Sequence, residues 1–515
     1  MDTNPASEQQ NGSFWLPLLV VVVGAFAAIL NNSSINVALP KMMAIFGVQE
    51  DQIQWVLTAY MLTSGVVIPV TGYLGDKYGT KKIYLISVTV FTIGSVLCSI
   101  AWNNNTMIAA RVVQGIGGGA IMPVSMAIVY RIVPRNMIGM ALGIWGMAAV
   151  TAPAIGPTLG GYIIDHLNWR FLFSMNIPVG LSAIVLGKIL LPANKPGHYE
   201  KFDFWGFITS SAGCFLLLLA LSQGQKEGWD SFYIVELLTG AFFLLLLFVL
   251  IELSVPHPML DLRLFKNRIF AISVMGASVM TIGLFGGVFL LPIFTQNLMG
   301  KTPMETGMML MPAALVTAVL MPISGFLFDR FGARILTFTG LLVLAWGTFE
   351  FKNLSIETTV AHITLIASIR SLGMGMAMMP MTTAGMNTVP LKDVSRASAL
   401  SNVCRQVGAS FGVAVLTTVM QTRQAFHMAR LSDSVTVGSP AATSLISQVG
   451  AMLGQGLPPG AGESQAVSII GSLAAMQATV MAIDDTFIVA AMIIIVGIPT
   501  ALFLGKGGKK PSPGM

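Results

Sequence analysis

Charge is what this chain has little of. Asp, Glu, Lys and Arg make up 10% of its 515 residues, whereas 54% are hydrophobic and mean hydropathy is +0.77; soluble domains carry roughly 25% charged residues. A bilayer is therefore the expected solvent. Cys98, Cys214 and Cys404 each lie in an apolar run, too few and too scattered for a disulfide framework or a metal site. No metal and no cofactor is expected. The histidines, His166, His198, His257, His362 and His427, are dispersed, and neither a His-Glu-x-x-His pair nor a nucleophile elbow occurs, which argues against an intramembrane enzyme. The net charge of +6 comes from bases in short loops between apolar runs. That is a membrane-orientation signal, and no nucleic-acid partner is expected. Acids are missing from the middle of the core spans: only Glu236, Glu252, Glu350, Asp484 and Asp485 lie in or at the edge of apolar runs.

What is present is a series of runs long enough to cross about 30 Å of hydrocarbon. They fall near 15–38, 53–74, 83–102, 106–130, 139–164 and 171–192, then 205–223 and 232–252, then 269–293, 305–328, 335–351, 358–382, 396–420 and 485–505. The reading is an all-α polytopic membrane protein with 14 transmembrane helices arranged six, two and six. Residues 1–14 form an N-terminal tail, 15–192 the first half, 193–268 a linker carrying the inserted pair, 269–505 the second half and 506–515 a C-terminal tail. No cleavage site precedes Asn31-Asn32, so the first run is expected to stay as a span. With both termini cytoplasmic, eighteen of the 28 Lys and Arg fall on the cytoplasmic side. Residues 421–484 then form one long external connection, read as a hairpin of two helices, Ala441–Leu453 and Ser464–Ile483, broken at Gly454–Gly462.

One stretch is written twice. Pro69, Gly72, Asp76, Lys77, Gly79 and Lys81 recur in order as Pro322, Gly325, Asp329, Arg330, Gly332 and Arg334, about half a chain later. A charged turn would explain one copy, but a repeat of a span-loop-span unit points to a transporter built from two related halves. In span four, Arg111, Gly115, Gly119 and Pro123 share one helix face, with Gln114 beside them. Small residues admit a close neighbour and an arginine inside a span is costly, although one near the end could also snorkel. Span five sets Ala148, Ala152, Gly156 and Gly160 on one face with Pro157 beside them, which suits close packing and a bend. Arg370, Arg405 and Gln406 are the other polar groups within spans, and methionine is abundant, with 33 residues. Flexible thioethers suit a cavity for varied apolar cargo, and serve equally as lipid-facing filler.

Gly72-Tyr-Leu-Gly75-Asp76-Lys77-Tyr78-Gly79, Arg111-Val-Val-Gln114-Gly115 and Ala152-Pro153-Ala-Ile-Gly156-Pro157-Thr-Leu-Gly160 resemble the signatures of major facilitator superfamily drug exporters. The inserted pair resembles the fourteen-span drug:proton antiporter branch of EmrB and QacA type. The resemblance implies multidrug efflux from the cell (inner) membrane by alternating access. It places Gly72, Asp76, Lys77, Gly79, Lys81, Asp329 and Arg330 in gating loops and Gly115, Gly156, Pro157 and Gly160 at moving interfaces. Asn31, Asn32, Asn36, Arg111, Gln114, Arg370, Arg405 and Gln406 would line the substrate and proton pathway. Its implied partners are an amphipathic small molecule, membrane lipid, protons as counter-ion and a periplasmic adaptor protein. One departure stands out: Asn31 occupies the place of the branch's usual first-span aspartate. At equal depth Asn31 and Arg111 are expected to meet, and an amide carries no charge to exchange. The same fold moving anionic amphiphiles such as a fatty acid or lipid, or working without protons, is the alternative. Asp76, Glu350 and Asp485 remain as other candidate proton carriers.

Overall fold

A computed structural model describes residues 14–193, 202–434, 440–453 and 461–504, all of them in helices and their connections. Fourteen helices are long and apolar enough to cross a membrane. The first half holds α1 (Trp15–Phe46), α2 (Glu50–Tyr78), α3 (Thr80–Ser99), α4 (Asn104–Ile132), α5 (Arg135–His166) and α6 (Phe171–Leu190). The inserted pair is α7 (Phe204–Glu227) and α8 (Phe232–Ser254). The second half holds α9 (Arg268–Leu298), α10 (Pro303–Phe331), α11 (Ala333–Asn353), α12 (Val360–Met386), α13 (Val394–Asp433) and α15 (Gly462–Phe503). A shorter helix, α14 (Pro440–Leu453), lies between the last two.

Of the expected hairpin, the first helix is present as α14 and packs against the second at Gly450 and Glu463, but the second is continuous with the last span. The chain runs from Val394 to Ser434 as one helix of 41 residues and from Ala461 to Phe503 as one of 43, so residues 421–434 and 461–484 extend spans and form no separate loop. Most of the expected break at 454–462 lies outside the described residues. Both stretches lack proline, so no residue within them lacks the N–H that helix bonding needs. Side chains then tie the extensions together, Arg423 Nε to Asp485 Oδ2 at 2.5 Å, His427 Nε2 to the same oxygen at 2.7 Å, and Gln424 Nε2 to Thr479 Oγ1 at 2.8 Å.

Glycine governs how closely the helices approach. A Cβ on Gly117 would strike the α3 backbone at Phe91, one on Gly143 the backbone of α10 at Met321, and one on Gly325 the carbonyl of Gly139. The α5–α10 seam between the halves is therefore backbone against backbone at the end bearing Asp76. Proline leaves carbonyls free, and neighbouring helices supply the donors. Pro157 has no N–H for Pro153 O, which accepts instead from Ser33 Oγ of α1 at 3.0 Å; Pro380 likewise frees Met376 O, which accepts from Ser324 Oγ of α10 at 2.8 Å. α8 is mostly exposed on the lipid side, whereas α7 touches both halves: Leu62 of α2 packs on Leu218 and Leu219, and Trp229, just past its end, donates from Nε1 to Thr418 Oγ1 of α13 at 2.8 Å.

Candidate functional site

Exposure changes along the central helices. α1 shows Leu16, Leu19 and Val23 on one side and Asn32 and Asn36, one turn apart, exposed on the opposite side. In α4 the residues from Gly117 to Tyr130 are buried except Met122, while Asn105, Ala109, Val112 and Ile116 toward the other end are exposed. α12 follows suit, buried throughout from Met379 to Met386. The bundle is thus sealed toward the end bearing Asp76 and looser toward the other.

The seal is built from both copies of the repeated loop, each reaching across to the opposite half. Asp76, ending α2, faces the start of α13: its Oδ2 lies 3.4 Å from Arg396 Nε, and its Oδ1 lies 3.3 Å from Arg131 Nη2, which also donates to Ser395 Oγ at 3.0 Å. Asp329, ending α10, caps the start of α5, accepting from Gly139 N at 3.1 Å and Met140 N at 3.2 Å. A carboxylate at a helix N-terminus is the favourable placement. Gly79 and Gly332, at φ of 86° and 81°, make the turns that follow each aspartate, a backbone region that favours glycine. The surrounding bases are held separately: Lys77 lies 5.4 Å over the Tyr73 ring, Arg330 4.5 Å over the Phe326 ring, and Lys81 Nζ donates to Lys188 O and Leu191 O at the end of α6. Gly72 lets α13 approach, since a Cβ there would lie 3.0 Å from Arg396 Cα.

Arg111 sits in the middle of the first half, fully buried. Its Nε donates to Val56 O at 3.0 Å, Nη1 to Gln114 Oε1 at 2.6 Å and Nη2 to Asn32 Oδ1 at 3.1 Å, and its guanidinium lies 4.1 Å from the Tyr60 ring centre. Gln114 passes the chain on, donating from Nε2 to Ser95 Oγ at 2.8 Å. Each of these partners is neutral. The expected meeting of Arg111 with Asn31 is corrected: Asn32 makes it, because adjacent residues point about 100° apart on a helix. Asn31 turns toward α6 and accepts from Asn176 Nδ2 at 2.8 Å, leaving its own buried Nδ2 without a partner. Gly115 seats against the Tyr60 carbonyl, while Gly156 and Gly160 seat against Ser33 and Ser34 of α1, with Pro157 between them half-buried.

In the second half, Arg370 donates from Nε to Thr348 Oγ1 at 3.2 Å and from Nη2 to Gly283 O at 2.7 Å and Leu284 O at 3.2 Å. Those carbonyls border the π-helical turn Gly286–Leu290, where regular helix bonding is interrupted. Arg405 donates to Asn402 Oδ1 on its own helix at 3.0 Å, and Gln406 is half-buried beside it; neither is joined to Arg111 or Arg370. Met374, Met379 and Met381 are interior, whereas Met308 and Met311 are exposed. Tyr60, Ser95, Ser395 and Arg396 belong to these networks and carry no local sequence signal beyond their place in the spans.

A family model described as Major Facilitator Superfamily matches residues 21–413. The uncharacterized MFS-type transporter YhcA of Bacillus subtilis is 37% identical over 95% of this chain and 92% of its own. The multidrug resistance protein B homolog of Mycobacterium tuberculosis is 32% identical over 92% and 88%, and the multidrug export protein EmrB of Haemophilus influenzae 30% over 85% and 87%. Among solved structures, the human organic anion transporter MFSD10 aligns over 95% of this chain and all of its own, with TM-score 0.59 and 12% identity. The proton:xylose symporter XylE aligns over 90% and 95%, with TM-score 0.55 and 14% identity. At those identities the likeness is one of fold.

Proposed function

The chain belongs to the major facilitator superfamily, a family of transporters, and from that premise we propose that it exports drug-like or amphipathic small molecules by alternating access with protons as counter-ion. The carrying observation is the crossed pair of aspartates: Asp76 and Asp329 each bond to the opposite half through a few polar contacts. Such contacts contribute on the order of 1 kcal/mol each, so a closed end built from them can open within a transport cycle. The names of the multidrug relatives support the drug-like cargo. The lysines and arginines gathered near Asp76 support a cytoplasmic position for this end in a cell membrane, with both termini on that side and the looser end facing out. Asn32 and Asn36 are then the groups that meet cargo from the outer side, with Arg111 and Gln114 bonded in series behind Asn32. Glycine and proline along α5 provide the surface that rocks.

The test is efflux of ethidium from proteoliposomes with and without an imposed pH gradient, beside a labelled fatty acid. Gradient-stimulated ethidium efflux is the expected result. Transport of the fatty acid alone would replace the cargo reading, and ethidium counterflow indifferent to the gradient would remove the proton.

A further inference from the structure

A second ionic cluster lies at the end of the second half away from Asp76. Asp485 of α15 turns one oxygen, Oδ2, to two bases one turn apart on α13, Arg423 Nε at 2.5 Å and His427 Nε2 at 2.7 Å. His427 is buried and Asp485 partly exposed, so the carboxylate is the imidazole's route to water. A Cβ on Gly283, midway along α9, would touch Ile494 of α15. Asp485 lies nine residues beyond Ile494, about 14 Å, and half the hydrocarbon thickness is about 15 Å. The cluster therefore sits where hydrocarbon gives way to water.

The charged neighbours are few. Asp484 faces away, toward the end of α11 where Glu350 and Lys352 lie: it accepts from Leu354 N, and its Oδ1 is buried without a partner. On α13, Arg423 and Arg430 lie 4.7 Å and 5.5 Å from the Phe426 ring centre. α14 and residues 286–298 of α9 carry no charged or titratable side chain. Lys226 and Glu227 end α7 beside Gln225, which bonds Gln421, about 9 Å short of His427 along α13.

Ionised, Asp484 and Asp485 carry two negative charges, against which Arg423 sets one positive. A protonated His427 supplies the second and turns a neutral N–H donor into a charge-assisted one, roughly twice as strong. Imidazole is the side chain that gains this charge between about pH 8 and pH 5.

We infer that His427, Asp485 and Arg423 form a proton-binding clamp that reads the pH on the side away from Asp76. With the proton bound, the extensions of α13 and α15 are tied together. Without it the tie falls back on Arg423, whose bond to Asp485 is open to water, and the extensions separate more readily. α13 is unbroken from Arg396, at the seal, to His427, about 46 Å along the helix. Protonation thus fixes the far end of the helix whose near end Asp76 holds, and favours the sealed arrangement. The inference rests on the outward placement of this end in the reading above, and holds whichever ion drives export.

Full-length protein in proteoliposomes tests it by two readouts. Spin labels on Ala429→Cys and Gln477→Cys, exposed positions on the two extensions, report their spacing by electron paramagnetic resonance; the native cysteines are buried or half-buried. Ethidium efflux is followed at one fixed pH difference while the outer pH moves from about 8 to about 5.5. Acidification is expected to narrow the distribution of label spacings and to slow efflux about five-fold. His427→Gln keeps an N–H for Asp485 Oδ2 and cannot gain a proton, so both readouts should become flat while the response to the gradient itself is retained. Asp485→Asn should leave the spacing broad at every pH. A wild-type spacing unmoved by pH overturns the clamp without recourse to a variant, as does a shift that persists in His427→Gln. A spacing that responds beside efflux that does not overturns its connection to the seal. Ethidium that is not exported at all overturns the export reading instead, and the spacing still decides on the clamp.

Discussion

Gln114 and Arg370 occupy equivalent points in the two halves. Gln114 Nε2 donates to Ser95 Oγ at 2.8 Å and Arg370 Nε to Thr348 Oγ1 at 3.2 Å, with the hydroxyls on the equivalent helices α3 and α11. A Cβ on Gly94 would strike Gln114, and one on Gly347 would strike Arg370. The neighbouring bonds repeat too: Ser64 Oγ donates to Gly115 O and Thr317 Oγ1 to Ser371 O, both at 3.3 Å. Arg370 is therefore the counterpart of Gln114, and Ala367 stands where the first half has Arg111. The two halves share a scaffold and differ in where the charge sits.

That asymmetry separates two arginines that look alike in sequence. Arg370→Gln keeps a donor for Thr348 but cannot reach the carbonyls of Gly283 and Leu284, so it should cost about 1–3 kcal/mol of stability, read as a fall in melting temperature in detergent. Arg111→Gln leaves Asn32 and Gln114 without their donor beside the exposed face of α1. Ethidium efflux should fall about ten-fold or more, measured in proteoliposomes at matched protein content.

Asn31→Asp should fold as wild type. The new side chain keeps an oxygen for Asn176 Nδ2 and discards the amide nitrogen that has no partner. It also puts a titratable group one residue from the Asn32–Arg111 contact. Efflux should depend more steeply on the imposed gradient, by about five-fold, in the same vesicle assay. An unchanged dependence would mean that Asn31 has no part in coupling.

Span order and the doubled loop were legible because a bilayer imposes long apolar runs and a repeat is visible as text. Asp76 and Asp329 stood out on that basis, and each is found bonded to the opposite half. Their partners did not stand out: Arg131, Arg396 and the N–H groups of Gly139 and Met140 lie 55 or more positions away or carry no side-chain signal. The same limit hid the Arg111 partner, since depth along α1 is readable to a residue or two and the choice between Asn31 and Asn32 is one of helix rotation. The long extensions of α13 and α15 escaped because span length was judged by hydrocarbon thickness, while side-chain contacts such as Arg423–Asp485 hold helices together beyond it.

Gly325→Ala places a methyl against the Gly139 carbonyl in the backbone-to-backbone seam of α5 and α10. Both sides are backbone and neither yields without moving a helix. Overpacking of this kind costs about 1–3 kcal/mol, and the cost falls on the sealed arrangement. Cysteines introduced near Asp76 should then react faster with a water-soluble maleimide than in the unsubstituted background, while the exposed face of α1 at Asn36 becomes less reactive.

The most direct measurement uses a cross-link at the seal. A Cβ on Gly75 would lie 3.7 Å from Ser395 Cβ, with the Thr80 methyl at ordinary contact distance of 3.5 Å, which suits a disulfide. The double variant Gly75→Cys with Ser395→Cys joins α2 to α13 directly beside Asp76. If transport requires this end to open, oxidation should form the bond and abolish ethidium efflux, and a reductant should restore it. A fully cross-linked protein that transports at the reduced rate would contradict alternating access through this end.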